Sequence, residues 1–315
     1  MKLLAAFFKL IRWRNLVFII LTQVLFYFFI IPFVYRSSSF AQQTVLSLAN
    51  FWLLVAASVC IAAAGYVIND YFDLSIDRVN KPSRLIIERI IKRRWAIVMH
   101  IVLSAIGLVL SLYVGYKISN ISIPVFNLVS IVALWLYSTT LKKKLLIGNI
   151  VISLLTAWVI MVLAVAIYRF SYIDSVTHEF VATQLLKLSI LYSGFAFIIS
   201  LIREVVKDIE DIRGDKKYGC KTMPIVWGVP AAKVFTGVWL VVLISALIVL
   251  QFYMLQLGWL ISSVYTVVLL IIPLIWILKK LYDANNHAHY HTISSAIKIV
   301  MLLGVLSMIF FRLYM

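Results

Sequence analysis

Nine of the twelve acidic residues in this 315-residue chain fall in two short stretches. The first holds Asp70, Asp73, Asp77 and Glu88, the second Glu204, Asp208, Glu210, Asp211 and Asp215. The first reads Asn69-Asp70-Tyr71-Phe72-Asp73-Leu74-Ser75-Ile76-Asp77, so Asn69, Asp73 and Asp77 recur every four residues. On a continuing helix their oxygens line one face. In the second stretch Asp211 and Asp215 repeat that spacing, with Asp208 one turn earlier. Like charges so placed repel, and a bound cation reverses the sign of that interaction. Ligands offering only oxygen favour Mg²⁺ over zinc or copper, and Mg²⁺ keeps waters and substrate phosphates in its shell. The predicted metal set is therefore Asn69, Asp73, Asp77, Asp208, Asp211 and Asp215. Cations stand beside it: Lys81 and Arg84 after the first motif, Arg203 and Lys207 at helical spacing before the second. Arginine grips phosphate with two donors and lysine as a point charge. Two acidic helix ends with a diphosphate held between them is the chemistry this pattern suits. A single Asp near a helix end is ordinarily a cap or a surface charge. The case rests on the pairing and on the scarcity of acids elsewhere; Glu88, Glu204 and Glu210, taken singly, read as ordinary solvated charges.

These motifs must be positioned by membrane helices. Hydrophobic residues make up 64% of the chain and charged residues 13%, about half the charged share of a soluble domain. Nine apolar runs approach the ~20 residues that a bilayer core demands: 16–34, 44–68, 95–115, 121–138, 146–168, 186–203, 230–252, 257–278 and 292–312. The expected fold is all-α and polytopic. With alternate loops grouped, 23 of the 29 Lys and Arg lie on the side of the N-terminus and five on the other. That asymmetry puts the N-terminus and both acidic motifs in the cytoplasm and the C-terminus across the membrane, most simply the cell (inner) membrane. The motifs follow the second and sixth runs, four crossings apart, but the halves are too dissimilar in sequence to claim a duplication. The net charge of +17 belongs to cytoplasmic loops, lipid headgroups and phosphate-bearing substrates. No soluble basic domain presents a nucleic-acid surface, and no protein partner is implied. Cys60 and Cys220 have no neighbours in the sequence that would make a disulfide framework or zinc site. The first run is too long for a signal-peptide core and lacks a small-residue cleavage site, so no cleavable leader is expected.

At the acidic motifs the chain resembles the UbiA family of intramembrane prenyltransferases. The family pattern N-D-x-x-D-x-x-x-D is met by Asn69, Asp70, Asp73 and Asp77, and D-x-x-x-D by Asp211 and Asp215 followed by Lys216-Lys217-Tyr218-Gly219-Cys220-Lys221-Thr222. Leu136-Tyr137-Ser138 and the run Lys142-Lys143-Lys144 extend the likeness. It implies one transmembrane domain, residues 1–315, of nine helices around a central cavity with a lateral opening for lipid substrates. It also implies that Asn69, Asp73, Asp77, Asp211 and Asp215 hold Mg²⁺ and a prenyl diphosphate. Lys81, Arg84 and Lys142 or Lys143 then contact the diphosphate, and the Tyr137 ring is placed to stabilise an allylic cation. Asp73, Asp77, Asp211, Asp215 and Tyr137 become the catalytic set. The loop 204–215, with Asp208 and Gly214-Asp215, looks most like the branch that transfers geranylgeranyl to geranylgeranylglyceryl phosphate in ether-lipid synthesis. Prenylation of an aromatic acceptor, in quinone or tetrapyrrole synthesis, is the alternative within the family.

Two other classes compete. A cation or solute transporter carries its acids along a path across the membrane, whereas these sit at helix ends on one side. A non-catalytic lipid-binding protein leaves the paired motifs unexplained. His287 and His291 are four apart and able to share a metal, but no carboxylate or cysteine joins them or His289 in a recognisable motif. The expectation there is a polar interfacial loop. Lys298, inside the last run, is read as snorkelling or structurally paired rather than as part of the site.

Overall fold

In a computed structural model, residues 2–36, 46–80, 85–167 and 176–315 are described. Among them nine helices are long and apolar enough to cross a membrane: α1 Trp13–Tyr35, α2 Leu48–Phe72, α3 Arg93–Lys117, α4 Ser122–Thr139, α5 Ile147–Ile167, α6 Ala182–Glu210, α7 Gly228–Gln256, α8 Leu260–Asp283 and α9 His287–Tyr314. Each matches one expected run. α6 continues seven residues beyond position 203, because its last two turns bury Val205, Val206 and Ile209 in a core while also carrying Glu204, Asp208 and Glu210. Strands are absent from the described residues apart from an isolated bridge between Ile87 and Ile91.

The bilayer explains both the helices and their surface. Backbone polar groups in lipid must be satisfied within the segment. The outward faces carry large exposed apolar side chains such as Ile101, Val109 and Ile190, which suit lipid rather than water. Two helices widen into π-turns, at Phe26–Ile30 and at Val267–Ile271. Each widening precedes a proline, Pro32 or Pro273. Proline has no N–H to give, and its ring crowds the carbonyl four residues earlier.

Helices in lipid associate by close packing and a few hydrogen bonds rather than by hydrophobic exclusion. On α3, Gly107, Ser111 and Gly115 repeat every four residues and are buried. A Cβ on Gly107 would lie 2.7 Å from Ile61 and 3.2 Å from the Ala57 carbonyl, so α2 and α3 approach closely there. The Ser111 hydroxyl accepts from Asn127 of α4 at 2.7 Å, and the Asn127 amide oxygen accepts from Trp158 Nε1 of α5 at 2.9 Å. One buried polar chain thus ties α3, α4 and α5 together. One apolar core joins α1, α2, α5, α6 and the C-terminal part of α9, with Val114 of α3 and Ile123 of α4, and a second joins α6 to α9. A smaller core packs the N-terminal helix Lys2–Leu10 and residues 86–91 against α2.

Spans 1, 5, 6 and 9 surround an apolar cavity lined by residues including Phe18, Val159, Tyr192, Ile199 and Met301. Replacing Gly107 with Leu should force α2 and α3 apart at a cost of about 1–3 kcal/mol. A melting curve in detergent should then fall by about 2–4 °C for each kcal/mol; an unchanged curve would mean that this crossing is not tight.

Candidate active site

Both acidic motifs sit where a long helix is interrupted. α2 ends at Phe72, Asp73 adopts φ −85°, ψ −2°, and a short helix Leu74–Asn80 follows. α6 ends at Glu210, Asp211 adopts φ −92°, ψ 6°, and a short helix Ile212–Lys217 follows. The two aspartates thus share one backbone conformation, the sparsely populated bridge region in which active-site residues recur. The four-residue spacing survives each break. Asp73 N donates to the Asn69 carbonyl and Asp77 N to that of Asp73. Asp211 N donates to the Lys207 carbonyl and Asp215 N to that of Asp211.

Asn80 joins the two tips. Its amide nitrogen donates to the Asp211 carbonyl at 3.0 Å, and its oxygen accepts from Gly214 N at 2.8 Å. One side chain from the first motif's helix therefore satisfies both a donor and an acceptor at the break in the second. Only glycine permits this, since a Cβ at 214 would lie 2.5 Å from the Asn80 amide. A second tie comes from the lysine loop after α4, where the Lys143 carbonyl accepts from Lys221 N at 2.7 Å.

The side chains form a compensated polar site at the helix ends. Lys142 Nζ lies 2.6 Å from Asp73 and 3.3 Å from the Asn69 amide oxygen, and Asn69 donates to the other Asp73 oxygen at 2.8 Å. The side chain of Lys142 is 9% exposed, so its charge faces the motif, whereas Lys143 is exposed. Asp208 accepts from Asn149 of α5 at 2.8 Å. Arg203 pairs with Glu204 at 2.6 Å while its Nε is buried with no hydrogen-bond partner among the described residues. Lys207 interacts electrostatically with Asp208. Tyr137 interacts with Glu204, Asp73 and Asp208, which puts it between the two motifs. Cys220 also lies between them. Burial first, and then the Asp215 carboxylate, push its thiol up to about 11, against the pull of Lys143 and Lys142. It is protonated at neutral pH. Both cysteines are free thiols.

Asp70 is held differently from its motif neighbours. Arg12 donates to it at 2.7 Å and stacks 5.1 Å above the Tyr66 ring. Arg12 sits at φ 52°, a left-handed turn that swings the chain from the N-terminal helix into α1. Burial alone would lower its pKa; Asp70 and Tyr66 more than offset that and raise it, so it stays charged.

The donors are carbonyl and carboxylate oxygens with no thiolate or imidazole among the motif residues, and this set fits Mg²⁺. Among the described residues no three carboxylates of the two motifs gather within 4.8 Å of one another. They are distributed over two tips, as suits a metal whose shell a substrate phosphate completes.

A family model described as the UbiA prenyltransferase family matches residues 28–302. The chain belongs to the UbiA prenyltransferase family. This UbiA protein is an integral membrane prenyltransferase, which sets aside the transporter reading. Digeranylgeranylglyceryl phosphate synthase of Sulfurisphaera tokodaii is 31% identical over 219 residues, covering 70% of this chain and 72% of that protein. A solved structure of a digeranylgeranylglyceryl phosphate synthase superposes with TM-score 0.64 at 26% identity over 100% of both chains. A UbiA homolog from Archaeoglobus fulgidus, solved with GPP and Mg²⁺, shares the fold at TM-score 0.55 and 14% identity, over 96% of this chain and 99% of that one.

Of the sequence-predicted residues, the fold of this UbiA protein brings Asn69, Asp73 and Lys142 into contact, and Tyr137 interacts with Asp73 of the first motif and Asp208 of the second; Lys207 stands by Asp208, Arg203 by Glu204, and Asp211 by Glu210 and His287. Asp77 and Asp215 follow one turn behind their partners. Lys81 and Arg84 lie outside the described residues. Two expectations need correction. Glu204 and Glu210 are both 9% exposed rather than solvated, because each has a cationic or imidazole partner, Arg203 or His291. Glu88 does lie at the surface, between Arg78 and Arg93. The residues 287–291 begin α9 rather than forming a loop, and a carboxylate does join His287 and His291: it is Glu210. Sequence reasoning passed over Arg12, Asn80 and Asn149. A lone Asn at the start of an apolar span was the available signal for Asn149. Arg12 and Asn80 carried none. Asn80→Ala and Gly214→Ala should each cut kcat/KM by about 100-fold through misplacement of the second motif. The double variant should be little worse than either alone; additive losses would show that Asn80 and Gly214 act separately.

Proposed function

We propose that this chain transfers a geranylgeranyl group from geranylgeranyl diphosphate to geranylgeranylglyceryl phosphate, with Mg²⁺, at the cytoplasmic face of the cell membrane. The observation that carries the reading is the junction of two interrupted acidic helix tips by Asn80, with an apolar cavity beneath. Ile199, on the cavity wall, precedes Asp208 by nine residues, or about 13 Å of helix. A polar head held at the tips thus has apolar helix walls further along α6, where the cavity of about 50 Å³ takes only part of an isoprenoid tail. The acceptor follows from the relatives named digeranylgeranylglyceryl phosphate synthase. The side of the membrane follows from the basic residues that cluster with the motifs. The chain acts as one domain, 1–315.

In this reading Asn69, Asp73, Asp77, Asp208, Asp211 and Asp215 hold the metal, which supplies charge neutralisation of the diphosphate as the allylic C–O bond breaks. Lys142, Arg203 and Lys207 bind diphosphate oxygens, the buried Arg203 Nε being a donor already facing inward. Lys81, Arg84 and Lys143 add positive charge at the rim. Tyr137 presents its ring to the developing allylic cation. The apolar cavity excludes water, which would otherwise capture the cation as a prenyl alcohol. Arg12 takes no charge from the substrate; it fixes Asp70 and hence the last turn of α2.

Purified protein given labelled geranylgeranyl diphosphate, Mg²⁺ and geranylgeranylglyceryl phosphate should release diphosphate and form a digeranylgeranyl product. EDTA should stop the reaction and added Mg²⁺ restore it. Asp73→Ala and Asp211→Ala should each abolish turnover in protein that still inserts and elutes as a single species. Turnover at the full rate in both variants sinks the site assignment, and preference for an aromatic acceptor sinks the choice of acceptor.

A further inference from the structure

Beside the second acidic motif, two histidines and a buried carboxylate meet. His287 and His291 occupy the first turns of α9, four residues apart and so on one face. Their rings are parallel to within 5°, with centroids 6.5 Å apart. Both reach the same atom of α6: His291 Nδ1 lies 2.8 Å and His287 Nε2 3.8 Å from Glu210 Oε1. The Glu210 side chain is 7% exposed, and those of His287 and His291 are 57% and 53% exposed. The carboxylate is thus fixed inside while the imidazoles stay open to ions in water. The start of α9 is itself pinned, since the Asn286 side chain accepts from His289 N at 2.9 Å. An ion pair with Glu210 needs one imidazole. A second ring, parallel and aimed at the same oxygen, is more than that pair requires.

We propose that Glu210, His287 and His291 bind a divalent transition metal of the zinc class, and that the bound ion restrains Asp211. Two imidazoles and one carboxylate are borderline ligands that favour Zn²⁺ over Mg²⁺. Ligand atoms around a tetrahedral zinc stand about 3.3 Å apart, given metal–ligand bonds near 2.0–2.1 Å. His291 Nδ1 and His287 Nε2 stand 2.8 and 3.8 Å from Glu210 Oε1; Glu210, His287 and Asp211 already offer ligand atoms within 4.8 Å of one another, and the His291 ring must swing toward His287 to complete the set. Any proton on the ligating imidazole nitrogens is displaced to water as the ion binds. The remaining coordination is open to water or to Asp211, which offers an oxygen within 4.8 Å of Glu210 and His287 ligand atoms. A zinc ion here draws on the same Asp211 carboxylate that the proposed magnesium site uses, so occupancy slows prenyl transfer. Only this consequence rests on the proposed function; the binding site does not.

The test uses the full-length protein in detergent, with any affinity tag removed, titrated with Zn²⁺ against a chromophoric zinc indicator in excess Mg²⁺. The expected result is one zinc per chain, with affinity lowered about tenfold or more in His287→Gln and in His291→Gln, each a lost ligand. Both positions are more than half exposed, so the variants should fold and keep their Mg²⁺-dependent turnover. Zn²⁺ should inhibit the parent and spare the double variant. Zinc binding absent from the parent, or equally tight in both variants, overturns the site. Tight binding with no inhibition overturns the link to Asp211. Neither binding result depends on substrate, so a failed zinc titration leaves the prenyl-transfer reading untouched.

Discussion

The site depends on a helix stopping where its sequence would let it continue. α2 and α6 each cross the bundle and then break at one aspartate, Asp73 or Asp211, in nearly identical backbone geometry. A straight helix at either place would carry its next turn onward along the membrane normal. The break turns that segment, so that Leu74–Asn80 and Ile212–Lys217 lie against each other. Asn80 then closes the junction by filling both halves of its amide from the backbone of the opposite motif. The Gly214 N–H that it caps lies in the first turn of the short helix, where a donor otherwise lacks an intrahelical partner.

Charge compensation follows the same geometry. Acids concentrated at the edge of a low-dielectric bundle cost several kcal/mol each if left alone. Here Lys142, Arg12 and Asn149 answer Asp73, Asp70 and Asp208. Each partner comes from a different helix or loop. The polar head of the site is therefore also a fastening for the ends of α1, α2, α5 and α6, and substitutions there act on structure and chemistry together. Glu210 extends the pattern to α9, with imidazoles in place of a permanent cation.

Depth divides the labour. At the helix tips, polar side chains meet in hydrogen bonds and ion pairs. About three turns deeper the walls are Phe, Ile, Val and Met. An amphiphile with a charged head and a hydrocarbon tail finds both environments in one direction. Among the described residues of the spans themselves, association relies on small residues such as Gly107 and on the Ser111–Asn127–Trp158 chain, since lipid offers no hydrophobic drive between helices.

The sequence by itself determined the membrane architecture and the identity of the acidic motifs. Apolar runs of bilayer length admit only helices, because unsatisfied peptide groups cannot face lipid. A four-residue recurrence of carboxylates is visible without coordinates, because it is a local property of one helix. What only the tertiary structure decided is which distant groups answer those carboxylates. Arg12 is 58 residues from Asp70, Asn80 is 131 from Asp211, and Glu210 is 81 from His291. Such pairings arise from helix crossings and chain reversals that no local spacing encodes. For the same reason Lys142 and Lys143, adjacent and equivalent in the sequence, part company in the fold: the turn at 141–143 directs one ammonium into the site and leaves the other exposed.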